Sequence, residues 1–229
     1  MDEKKEFIII SSSVTETFTD WPDDESSAII IYFAGCNNNC PGCQNADTLA
    51  NIGKIKELEN KEPNSFMLSN DYLYCISNNI NVDNVKYIKF EVNSHGVYDF
   101  CKFTDHLIVK FNTDKIILQG GDPLCEGNNI NFIKLYNHYL NGKDYFKNKH
   151  INTELCIYTG SSISSVIENG IYVNYIKCGK FDKNLYQEPG KTKDCLTLAS
   201  KNQEFYKCEC ECGYNKISEN GKLYFNIGE

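Results

Sequence analysis

Apolar and polar positions alternate along this chain in a way that separates strands from helices. The apolar run 28–34 predicts a buried strand, and the polar stretch 11–27 before it, with Trp21-Pro22-Asp23-Asp24, predicts a crossing of the surface. Residues 115–119, 154–158 and 172–177 read as further strands, each leaving into a turn that carries glycine. Helical spacing covers 130–140, closed by Asn141-Gly142, and 162–168, stopped by Asn169-Gly170. Residues 46–58 and 70–77 predict two earlier helices, the first weakened by Gly53 and the second capped by Ser69. Between 81 and 112 the pattern changes. Positions 85–92 alternate as a half-exposed strand does, and 106–111 reads as another, so this segment is expected to be an inserted hairpin.

Strands alternating with helices imply a parallel sheet whose functional groups gather at the strands' carboxyl ends. The predicted class is therefore α/β. The length of 229 residues suits one domain over 1–229, with 81–112 as an insertion and 205–229 as a Cys-containing C-terminal extension. The composition, 41% hydrophobic and 24% charged, is that of a globular chain.

Charge narrows the range of partners. A net charge of -8 repels a phosphate backbone, so no direct nucleic-acid ligand is expected. Every basic residue is lysine, so anions must be held by ammonium groups, hydroxyls or backbone amides instead of a guanidinium. No apolar run is long enough to span a bilayer and no export pattern follows Met1, which predicts a cytoplasmic protein with reduced thiols and no membrane partner.

Three of the twelve cysteines carry the strongest chemistry. Cys36, Cys40 and Cys43 sit within eight residues on a loop directly after the first buried strand. Thiolates suit iron-sulfur clusters and zinc, and both usually take four protein ligands. Here the loop supplies three, which leaves one iron of a 4Fe-4S cluster open to an outside chelator. The competing readings are three small buried residues or half of a zinc site. A second run, Cys208, Cys210 and Cys212, would present its thiols on one face of a strand, either as a metal site or as surface thiols. Cys75, Cys101, Cys125, Cys156, Cys178 and Cys195 are scattered and read as core or incidental thiols.

The C-x3-C-x2-C spacing resembles the radical S-adenosylmethionine (SAM) superfamily, and Gln119-Gly120-Gly121-Asp122-Pro123-Leu124 is similar to its glycine-glycine-acid-proline segment. Within it the resemblance is closest to activating proteins of the anaerobic (class III) ribonucleoside-triphosphate reductase. Cys40-Pro41-Gly42-Cys43-Gln44-Asn45, Tyr158-Thr159-Gly160, Cys178-Gly179-Lys180-Phe181 and Ser200-Lys201-Asn202-Gln203 carry that likeness from 28 to 203. Cys178 stands where this family usually has Asp, and Leu49 where it usually has Trp.

The resemblance implies an incomplete (β/α) barrel of the radical SAM type with a mostly parallel sheet. It implies a 4Fe-4S cluster on Cys36, Cys40 and Cys43, and SAM held by Gly42, Gln44, Gly120, Gly121, Asp122, Pro123 and Thr159. One electron, from a donor such as flavodoxin or ferredoxin, would cleave SAM to a 5'-deoxyadenosyl radical that takes hydrogen from a glycine of the reductase. No catalytic side chain beyond the cluster and SAM is required. Two alternatives stay open. One is another small radical SAM enzyme, like 7-carboxy-7-deazaguanine synthase or the pyruvate formate-lyase activator; the other is a non-catalytic zinc module.

Overall fold

A computed structural model describes residues 6–10, 13–23, 26–43, 52–124, 130, 132–134, 136, 137, 153–210 and 213–225. Its centre is four neighbouring parallel strands, β3 (Ala28–Phe33), β6 (Lys115–Gly120), β7 (Glu154–Tyr158) and β8 (Tyr175–Cys178). Their apolar runs are nearly continuous because both faces are covered. Ile29, Ile31, Phe33, Ile116, Leu118, Leu155 and Ile157 point to one face, packed with helix α3 (Ser94–Phe111) and the helical residues Phe132, Ile133 and Tyr136. Ala28, Ile30, Ile117 and Cys156 point to the other, against Trp21, Leu196, Leu198, Phe205 and Leu223. That second cover is a small sheet of β9 (Gly190–Lys191), β10 (Cys195–Thr197) and β13 (Lys222–Tyr224) together with the Trp21 loop.

The expected mostly parallel, incomplete (β/α) barrel is not what forms. Among the described residues the main sheet is mixed and has ten strands, in the order β12 (Gly213–Lys216), β11 (Glu204–Cys210), β8, β7, β6, β3, β1 (Glu6–Ile10), β5 (Tyr87–Glu91) and β4 (Phe66–Leu68), with β2 (Thr15–Thr17) also on β3. β1 runs antiparallel to both β3 and β5, while β4 is parallel to β5. On the other flank β11 is antiparallel to β8 and to β12. The cause is the connection after β8. A barrel needs a helix there to bring the chain back parallel, but only one 3-10 turn (Lys183–Leu185) and the short strands β9 and β10 intervene, so the chain returns as an antiparallel neighbour.

The hairpin expected in 81–112 is also corrected. This segment supplies β5 to the main sheet and then α3, which includes the predicted strand 106–111. Asn93 caps α3 by accepting the Gly96 N–H at 2.9 Å, and Val97, Phe100, Cys101, Phe103, Thr104, Leu107 and Ile108 form a buried stripe at helical spacing. Read in isolation, the last turn of that stripe looks like a strand. Helix α1 (Ile52–Lys61) covers the later part of the predicted 46–58, whose first part lies outside the described residues. In α2 (Ser69–Ser77) the cap position falls on Leu68, and Ser69 instead donates to the buried carboxylate of Asp99 at 2.7 Å. Helix α4 (Ile163–Glu168) keeps the expected cap, with Ser162 accepting the Ser165 N–H at 3.2 Å. Among the described residues no helix is long and apolar enough to cross a membrane.

Candidate functional site

The four parallel strands end side by side, so their exits form one continuous rim. The cysteine loop leaves β3, the Gly120-Gly121 turn leaves β6, Thr159-Gly160 leaves β7 and Gly179 leaves β8. Below that rim lies a cavity of about 400 Å³, lined by Cys36, Cys40 and Cys43 among others. Its size falls within the roughly 300–1,000 Å³ typical of small-molecule sites.

The turn and the loop are locked together by backbone. Gly121 N–H donates to Phe33 O at 2.8 Å and Asp122 N–H to Gly35 O at 3.1 Å. Gly120 has φ +106, in the left-handed region, and a Cβ on Gly121 would stand 2.0 Å from Gly35 O. Glycine is therefore required twice in succession, once for conformation and once for contact.

Asp122 ties three of the exits together. It is 2% exposed. One carboxylate oxygen accepts from Asn38 Nδ2 at 2.7 Å and Gly160 N–H at 2.9 Å, the other from Thr159 Oγ1 at 2.7 Å and Leu124 N–H at 2.9 Å. Thr159 Oγ1 also accepts the Ser161 N–H at 3.0 Å. Both side chains are thus engaged within the protein, and it is Gly120, Gly121, Thr159 and Gly160 that border the cavity. Pro123 is buried in the turn behind them.

Within the cysteine loop, Gly35 and Gly42 have φ +97 and +74 and Asn39 has φ +50, so the chain curls as it passes the three thiols. The Asn38 N–H donates to Cys36 Sγ at 3.4 Å. Burial raises the Cys36 thiol above its ordinary pKa; the Asn38 N–H works against this and the Asp122 carboxylate adds to it. Gly42 lies beside Phe181 and Lys183, where a Cβ would meet them at 3.8 and 3.7 Å. The Ser200–Gln203 segment holds that neighbour in turn. Asn202 Nδ2 donates to Lys180 O at 2.8 Å, Gln203 Nε2 to Gly179 O at 3.3 Å, and Ser200 Oγ accepts the Asp182 N–H at 3.3 Å. Gln44 lies outside the described residues, as does Cys212, and the Cys210 side chain is likewise not described.

The sequence reading missed the floor of the cavity. Tyr32, Gln119, Tyr158 and Lys177 occupy the last inward position of β3, β6, β7 and β8, one from each strand, and all four line it. Tyr32 pairs with Gln119 and Tyr158 with Lys177 across the sheet. A signal was present. On the same face the preceding positions are Ile30, Ile117, Cys156 and Tyr175, so in three of the four strands a residue without a polar handle gives way to one with it at the strand end. The Tyr158 hydroxyl donates to Asp20 O at 2.6 Å, and the Asp20 carboxylate accepts from Thr17 Oγ1 at 2.5 Å and Thr19 Oγ1 at 3.0 Å, which makes the Trp21 loop a side wall.

A family model described as a 4Fe-4S single cluster domain matches residues 25–204. The chain belongs to the 4Fe-4S single cluster domain family. No curated protein and no solved structure matches it. The matched span of this 4Fe-4S domain begins just before β3 and ends at the start of β11, so it contains the whole rim and floor.

The residues present fit such a cluster. Cys36, Cys40 and Cys43 are free thiols, all half-buried, on one loop over one cavity. Among the described residues no three His, Cys, Asp or Glu side chains converge closely enough for a single metal ion. A cubane takes its thiolates from separate corners, which suits three thiols on one cavity-lining loop. Cys101, Cys156 and Cys178 are buried in the sheet and helix core.

Proposed function

We propose that this 4Fe-4S protein is a radical SAM activase whose substrate is the anaerobic ribonucleoside-triphosphate reductase. The observation that carries the reading is that three cysteine thiols and the Gly120-Gly121 turn border one cavity of small-molecule size. Cys36, Cys40 and Cys43 would hold the cluster and leave one iron for the amino and carboxylate groups of SAM. A bound cluster, once reduced, supplies the electron that cleaves SAM and so generates the oxidising radical.

The chain's own residues then bind, orient and exclude water. Backbone groups of Gly120 and Gly121 face the cavity and suit the SAM amino group, with Pro123 stiffening the turn. Asp122 and Thr159 contribute by holding that turn against the cysteine loop, since their polar atoms are already engaged in hydrogen bonds within the protein. Gly42 and Gln44, flanking Cys43, are assigned to the same ligand. Flavodoxin or ferredoxin is the class of electron donor that fits.

The test is anaerobic incubation of the reconstituted protein with SAM, dithionite and a candidate reductase, read by electron paramagnetic resonance. A glycyl doublet supports the full reading. SAM cleavage without the doublet would leave another small radical SAM activity. Cys40→Ala should lose both the brown cluster absorbance and SAM cleavage, and retention of either refutes the assignment.

A further inference from the structure

The cavity contains a positive charge that neither the cysteine loop nor the Gly120-Gly121 turn employs. Lys177 enters from β8 and is half-buried in the floor, whereas Lys180 is exposed at the rim. Its position is set by the sheet, where its backbone pairs with Tyr158 on one side and Phe205 on the other. The ammonium lies 5.5 Å from the Tyr158 ring centroid, and the Tyr158 hydroxyl is itself tied to Asp20 O at 2.6 Å. A half-buried lysine whose ammonium lies over a ring face is more confined than one extended into solvent.

We propose that Lys177 sets the reduction potential of the cluster, its ammonium favouring the reduced and more negative state. This inference rests on the reading that Cys36, Cys40 and Cys43 hold that cluster. Three thiolates leave a 4Fe-4S centre anionic in both states, and one added electron makes it more so. Hence a cation in the same cavity wall stabilises the reduced form more than the oxidised one. Burial pulls the Lys177 ammonium down to about 8 and the Asp122 carboxylate works against that, while an anionic cluster in the same cavity would favour the charged form further. With no arginine in the chain and Lys180 exposed to water, Lys177 is the cavity cation whose field is least screened. For a unit charge about 10 Å from a cluster at an effective dielectric of about 20, Coulomb's law gives more than tenfold in the reduction equilibrium, which is the scale the test reads.

Lys177 acts here as a positioning residue for charge and touches no reacting atom. The test is a spectroscopic redox titration at pH 7 with dithionite and mediator dyes, on reconstituted wild type, Lys177→Met, Lys177→Gln, Lys177→Arg and Lys180→Met, with iron content and thermal melting measured alongside. In both neutral Lys177 variants the midpoint should fall by at least about 59 mV, the equivalent of tenfold for one electron. Lys177→Arg should stay near wild type, and Lys180→Met should shift less than Lys177→Met. Loss of the cluster in both neutral variants but not in the folded arginine variant would also support a role for the charge. An unchanged midpoint in the neutral variants, an equal shift in Lys180→Met, or loss of the cluster in all three Lys177 variants would overturn it. Wild-type protein that binds no iron would instead overturn the cluster reading itself.

Discussion

Replacing Asp122 by Asn tests whether one buried carboxylate holds the site together. The substitution keeps shape and volume but turns one acceptor oxygen into a donor NH2. In the native protein both oxygens accept twice, from Asn38 Nδ2 and Gly160 N–H on one side and from Thr159 Oγ1 and Leu124 N–H on the other. Whichever way the new amide is turned, its NH2 faces one of the two backbone N–H groups, and neither can rotate away. Asn38 can flip and the Thr159 hydroxyl can turn, so one side-chain bond is recoverable. Hydrogen bonds to a charged group contribute about 1.5–3 kcal/mol each, and an unsatisfied buried donor costs about 1–3 kcal/mol. Allowing for that recovery, the net loss should be about 2–4 kcal/mol. For a chain of this size each kcal/mol moves the melting point by about 2–4 °C, so Tm should fall by about 5–15 °C. The assay is anaerobic thermal and urea denaturation of the cluster-free protein at pH 7. A variant that melts within about 1 °C of wild type would show that the four bonds do not bear on stability, and the account of Asp122 as the tie between three strand exits would be wrong.

Gly121→Ala places a Cβ 2.0 Å from Gly35 O, a backbone atom, and should cost at least about 1–3 kcal/mol while displacing the cysteine loop; denaturation and iron content check it, and wild-type values for both would refute the close packing. Alkylation of the native, cluster-free protein with iodoacetamide at pH 8, followed by mass spectrometry, should spare Cys101, Cys156 and Cys178, whose thiols are raised by burial, to about 12 for Cys101 and Cys178, and should modify Cys40 and Cys43 at least tenfold faster. Asp23 stays below its ordinary carboxylate pKa, because although burial raises it, hydrogen bonds from Ser26 and Lys115 and the Lys115 charge outweigh that. Its folded pKa being the lower one, the stabilisation is present above the unfolded value near 4 and is lost as pH falls through the folded pKa. Asp23→Asn should therefore destabilise by about 1 kcal/mol at pH 7 and by much less at pH 3, as measured by urea unfolding at both pH values.

Some of this protein was decided by the sequence alone. The strands β3, β6, β7 and β8 are legible because a strand covered on both faces must be apolar at nearly every position, whatever packs against it. The cysteine loop and the Gly120-Gly121-Asp122 turn are legible for a similar reason, since ligand spacing and left-handed backbone restrict the residue types locally. Only the tertiary structure decided how the sheet continues. β5 and β11 carry no local mark of direction, and whether they pair parallel or antiparallel depends on the connection that brings the chain back to the sheet. The fate of 106–111 was equally nonlocal, because the same short apolar stretch serves a strand or the last turn of a helix until Asn93, thirteen residues earlier, is known to cap that helix. The row Tyr32, Gln119, Tyr158 and Lys177 is assembled from four distant strands by register, and no single segment could announce it. Local chemistry is written in neighbouring residues, whereas a cavity exists only once surfaces far apart in sequence face each other.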